Sequence, residues 1–153
     1  MTLKKLDKEE RKELLSMVSD RFSIPLDEFR EFNLYAGEKG KLFLLHKHAA
    51  NFVQAVHGVV TAGLPFGRVD RAFKPSTNFL QLFGKKATTG FISISREEAI
   101  KFAEGQDLTL KEESGDGYVL VNFEGEPIGC GLLRGKELKC TIPKAKRLKL
   151  SYL

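Results

Sequence analysis

The chain has 153 residues, 42% of them hydrophobic, with twelve Phe, no Trp, and 25 Lys and Arg set against 20 Asp and Glu. That length suits one compact domain or two small ones, and the apolar content excludes a disordered tail. No stretch approaches the ~18 to 20 uncharged apolar residues of a membrane span, and MTLKKLDKEERKELL alternates charge where a signal peptide needs an apolar run, so a cytoplasmic protein without a membrane segment is expected.

Asp7 and Glu10 have capping-box spacing and open a helix whose partial apolar face is Leu14, Leu15, Val18 and Phe22. Pro25 and DEFREF follow. NLYAGEKGKLFLLH reads as two strands around a turn at Glu38-Lys39-Gly40. KHAANFVQAV has helical composition, with Phe52, Val53 and Val56 on one side. GVVTAGLPFGRVD reads as strand, turn and strand, and KPSTNFLQLF as a helix introduced by Pro75 and Ser76 and apolar at Phe79, Leu80 and Phe83. The polar run Gly84-Lys85-Lys86 is the expected joint between two units.

Beyond it, FISI is a strand, and Ser95 with Glu98 fits a capping box for a helix from Arg96 to Ala103. Gln106 to Lys111 reads as a strand. The remainder is a meander: GYVLVNF, a turn at Glu124-Gly125, EPIGCGLL, a turn at Arg134-Gly135, then KELKCTI and KRLKL. Short strands with such turns predict a small barrel.

Charge is uneven along this order. Residues 136–153 hold Lys136, Lys139, Lys144, Lys146, Arg147 and Lys149 against Glu137 alone, and removing these leaves nineteen of each sign in residues 1–135. The tail therefore carries all of the net +5. Lysines at a strand edge also serve to prevent aggregation, so charge by itself leaves a solvated edge open. Pro143 bends the approach, however, so that Lys144, Lys146 and Arg147 arrive clustered and suited to several phosphates at once. A second basic group is Arg68, Arg71 and Lys74, with Lys85 and Lys86 at the joint. If both groups face the same way, the crevice between the units is the natural path for a nucleic acid.

Signs of an enzyme are missing. There is no glycine-rich phosphate loop, no G-x-S-x-G elbow and no H-E-x-x-H. Asp116, Glu124 and Glu126 fall in turn signals, where carboxylates are ordinarily solvated. His46, His48 and His57 have no metal spacing, and Cys130 and Cys140, inside strands, read as buried thiols. Neither a cofactor nor a metal is expected.

The series GYVLVNFEGEPIGCGLLRGKELKCTIPKAKRLKL resembles the PUA-like segment that closes the Fmu/Sun family of ribosomal RNA cytosine-5 methyltransferases. The hairpin Glu124-Gly125-Glu126-Pro127-Ile128-Gly129-Cys130-Gly131 stands for that family's "DG-P-hydrophobic-GWGK", and Gly135 to Lys139 with Pro143-Lys144 and Lys146-Arg147 for its basic ending. Cys130 occupies the usual Trp position. Upstream, Gly63-Leu64-Pro65-Phe66-Gly67, Arg68 and Phe73-Lys74-Pro75-Ser76 resemble the linker domain, with its "G-L-x-x-G" turn, basic residue and "F-x-P-S" step. Nip-type ribosome-biogenesis proteins share this order of a pre-PUA domain and a PUA domain. The methyltransferase domain and its Pro-Cys motif are missing from the sequence, so methyl transfer is not implied.

The resemblance thus implies an α+β protein: an α/β pre-PUA unit over residues 1–86 and a reduced PUA-like β-barrel over 87–153. It also implies a non-catalytic, monomeric RNA-binding protein of ribosome biogenesis or ribosomal RNA modification. Lys139, Lys144, Lys146, Arg147 and Lys149 are the expected phosphate contacts, with Arg68, Arg71 and Lys74 as a second group. The alternative is a protein-interaction subunit that supplies an RNA-binding module in trans to a separate RNA methyltransferase, using Phe66, Phe73, Phe79 and Phe83 as its interface.

Overall fold

The computed structural model describes residues 3–55 and 63–148. Strand β1 (Lys4–Lys5) leads into helix α1 (Lys8–Phe22), started by the Asp7–Glu10 capping box that the spacing predicted. A short 3-10 turn, Leu26–Phe29, precedes β2 (Phe32–Ala36), β3 (Lys41–His46) and α2 (Lys47–Ala55). Then come β4 (Leu64–Val69), β5 (Phe73–Pro75) and α3 (Thr77–Phe83), capped by Ser76. β1 to β5 form one antiparallel sheet in chain order.

After a 3-10 turn at Gly84–Lys86 the chain makes β6 (Phe91–Ser93), α4 (Arg96–Ala103, with the Ser95–Glu98 capping box), β7 (Leu108–Thr109), β8 (Asp116–Phe123), β9 (Glu126–Arg134) and β10 (Glu137–Cys140). These strands form a second five-stranded sheet in the order β6-β8-β9-β10-β7, with β6 and β8 parallel and α4 in the connection between them. The architecture is α+β, and the second sheet is a PUA-like half-barrel.

The two sheets are joined through β8 and β9. Alternate residues of a strand point to opposite faces. Val119 and Val121 therefore enter a core with Leu133, Leu138 and Phe102, while Leu120 and Cys130 enter the core built by α1, Phe29, Phe66 and α3. Buried on both faces, β8 reads as the continuous apolar run YVLV rather than as an alternation.

Several expectations need correction. KRLKL is not a strand over its described residues: Lys144–Lys146 is a 3-10 turn in which Lys146 N–H donates to Pro143 O at 2.8 Å. Pro143 has no N–H with which to extend a ladder. The expected turn at Gly63–Gly67 is strand from Leu64 onward. Phe52 is exposed on α2, where Ala50 is the buried residue among those described, and Val53, Val56 and His57 lie outside the described side chains. Of the four aromatics of the alternative, Phe66 and Phe79 have no exposed surface and belong to the core, while Phe73 and Phe83 are partly buried against it. Both cysteines are buried free thiols, as read.

Candidate nucleic-acid interface

The first sheet sets three cations side by side. Lys41 on β3 is paired with Arg68 on β4, and Arg68 with Lys74 on β5, so the three exposed side chains form a row across adjacent strands on one face. A bulge makes this register. Phe66 and Arg68 are two apart and strict alternation would put both on one face, but the shift at Leu42/Phe43 leaves Phe66 in the core and turns Arg68 outward. The adjacent hairpin presses on β4: at Gly40, with φ +76, a Cβ would lie 2.1 Å from Val69 O, so only glycine fits beside Lys41. None of the three cations is ion-paired to a carboxylate among the described residues.

The second sheet supplies the facing wall. Lys139 on β10 pairs with Leu132 on β9, which pairs with Tyr118 on β8, so these three share the face turned toward the first sheet. Lys74 Nζ stands 6.0 Å above the centre of the Tyr118 ring. On that face Tyr118 and Lys139 stand two strand spacings, about 10 Å, apart along the sheet. Beyond β10 the chain passes the groove: Thr141 and Pro143 line one side of a cleft of about 570 Å³, with Lys41, Arg68 and Lys74 on the other. The Thr141 hydroxyl donates to Cys130 O at 2.7 Å and pins this segment to β9. Lys144 follows at once, exposed, as is Lys146.

Arg147 has a different situation from its neighbours. Its Nε donates to Ile142 O at 3.0 Å, and its side chain lies on Gly105, where a Cβ would come within 2.5 Å of Arg147 Cδ. It is half-buried and clasps the end of the chain onto the turn after α4. Arg71 sits exposed in the β4–β5 turn and does not line the cleft, and Lys149 lies outside the described residues. Lys85 pairs with Glu126 at 3.0 Å, and Lys86 with Glu28 at 3.8 Å. Of the residues expected to bind, Arg68 and Lys74 line the cleft, Lys144 follows its lining residue Pro143 in the chain, and Lys139 stands on the same sheet face as Tyr118. The structure adds Lys41, which no count of charge along the chain singles out because its role depends on strand register.

Burial pushes the Cys130 thiol up to about 11 and raises that of Cys140 as well, so neither offers a thiolate near neutral pH. Among the described residues no three His, Cys, Asp or Glu side chains are placed to hold a metal, and no helix is long and apolar enough to cross a membrane.

Residues 90–148 match the family model described as the methyltransferase RsmF PUA domain. Two curated relatives are each named ribosomal RNA small subunit methyltransferase F. The protein of Aeromonas salmonicida (strain A449) is 31% identical over 62 residues, and that of Aeromonas hydrophila subsp. hydrophila 29% identical over 62 residues. Each alignment takes in 40% of this chain and 13% of the relative, so the similarity is to one domain of those proteins. The matched segment holds β6 to β10, Lys139 and the Lys144–Lys146 turn. That segment of the chain is therefore similar to the PUA domain of methyltransferase RsmF.

Proposed function

We propose that this protein is a cytoplasmic, non-catalytic RNA-binding protein acting in ribosome biogenesis or ribosomal RNA modification. Lys139, Lys144 and Lys146 are its main phosphate contacts, and Arg68 and Lys74 line the approach. The observation that carries the reading is Lys74 over the ring of Tyr118, a residue on the same sheet face as Lys139, which supports a basic surface drawn from two sequence-distant groups. It is supported by the kinship of the PUA-like domain to proteins named as ribosomal RNA methyltransferases. Only their PUA domain is matched, and the buried thiols are unsuited to nucleophilic chemistry. Arg147, tied to Ile142 O, serves the reading by fixing the tail.

The test is fluorescence anisotropy of labelled ribosomal RNA fragments across a salt series, with the native chain and a Lys139→Ala/Lys144→Ala/Lys146→Ala variant. Each single-stranded phosphate contact contributes about −0.7 to the slope of log K against log salt, so loss of three should flatten it by about 2. Equal slopes and affinities for a folded variant would remove the tail from the interface.

A further inference from the structure

Outside the tail, the cleft itself carries two features that the fold leaves without internal explanation. The first is the Lys41–Arg68–Lys74 row: like charges directly opposite each other on neighbouring strands destabilise a sheet, and here the repulsion occurs twice, with no carboxylate of the described residues paired to any of the three. The second is Thr77, which lines the same cleft. It is 3% exposed, and its Oγ1 has no hydrogen-bond partner among the described residues. Buried polar groups are nearly always satisfied, and an orphaned hydroxyl beside an unneutralised cation row calls for a partner from outside.

Chemistry and size together define that partner. It must bring concentrated negative charge for the row, a polar atom for Thr77, and a flat apolar body for the walls formed by Pro65, Pro75 and Pro143. At about 570 Å³ the cleft is of the size that holds a small molecule. A nucleotide has all three parts. A base still stacked and paired in a helix cannot enter such a cleft, whereas an unstacked one can. We infer that the cleft between the two sheets is a subsite for one unpaired nucleotide of the bound RNA. Its phosphate lies on Lys41, Arg68 and Lys74, and a sugar or base atom bonds to Thr77 Oγ1. This rests on the RNA-binding reading and names what that surface recognises: single-stranded RNA.

The experiment measures binding of a labelled oligouridine, and of an RNA duplex of equal length, to the full chain and to three variants: Arg68→Gln, Thr77→Val and Lys144→Ala/Lys146→Ala. Melting temperature is recorded for each. The native chain should prefer the single strand. Arg68→Gln should weaken oligouridine about tenfold and Thr77→Val about threefold. Both should melt no lower than the native chain, because one loses like-charge repulsion and the other an unsatisfied hydroxyl. Oligouridine binding that is untouched by Arg68→Gln and Thr77→Val but weakened by Lys144→Ala/Lys146→Ala would overturn the subsite while leaving RNA binding intact. Absence of binding to either RNA would overturn both. Equal affinity for strand and duplex, or displacement of the RNA by poly-glutamate at matched charge, would make the cleft a general anion surface and overturn the inference.

Discussion

The two basic groups are positioned by opposite means. The tail is a local object: a proline, one 3-10 turn and two exposed lysines, held by Thr141 on Cys130 O and Arg147 on Ile142 O. The row is a long-range object, since Lys41, Arg68 and Lys74 stand abreast only through two strand pairings and a bulge. In the tail one arginine is spent on holding the chain in place. In the row an arginine has no carboxylate partner among the described residues, at a cost in repulsion. A charge that stabilises its own fold and a charge that the fold merely tolerates are thus both present, and the second kind is the stronger pointer to a ligand.

The largest effect should come from striking what both groups share. Leu120→Ala opens a cavity where β8 enters the core of the first sheet, and a loss of about 2 to 5 kcal/mol is expected in denaturant unfolding. RNA affinity of both groups should fall together with the folded fraction. Alkaline pH should act next, beneath the tail. The Cys130 thiol is raised by burial from 9.0 to about 11, so the folded chain keeps a proton that the unfolded chain releases. Stability should be level below pH 9 and decline by about 2 to 3 kcal/mol on the way to pH 11. A pH series of urea midpoints checks this, and Cys130→Ala should reduce the decline, with Cys140 contributing the same sign.

Arg147→Ala sharpens the contrast further. Loss of its bond to Ile142 O and its packing on Gly105 should cost about 1 kcal/mol and weaken RNA binding through the tail. Arg68→Gln should do the reverse, with stability unchanged or raised by about 0.2 to 1 kcal/mol while binding falls. If the two arginines behaved alike in thermal melts, the distinction between a holding and a tolerated charge would fail.

What the sequence disclosed follows the same line. Both capping boxes were legible because they are written within four residues, Asp7 to Glu10 and Ser95 to Glu98. The β8–β9 hairpin was legible from its turn at Glu124-Gly125. Strands β1 and β5, two and three residues long, were not, whereas the equally short β6 and β7 were, because they lie in the apolar or β-prone runs FISI and QDLTLK while Lys4–Lys5 and Phe73–Pro75 do not. KRLKL alternates charge and leucine like a strand, yet its fate is decided by Pro143 and by where Arg147 finds a carbonyl. The tail's excess of charge could be counted. The alignment of Lys41 with Arg68 could not, since a one-residue change at the bulge would turn Arg68 to the other face.

The placement of Leu120 and Cys130 in the core of the first sheet has a mechanical meaning for the groove. Its two banks are not separate bodies on a hinge but outcrops of the same packed interior, so their separation is set when the chain folds and not when a strand arrives. Such a cleft works as a gauge and not as a jaw: it admits what already has the right thickness. Association should accordingly be a single kinetic phase whose rate depends on salt, with little ordering left to do at the moment of contact.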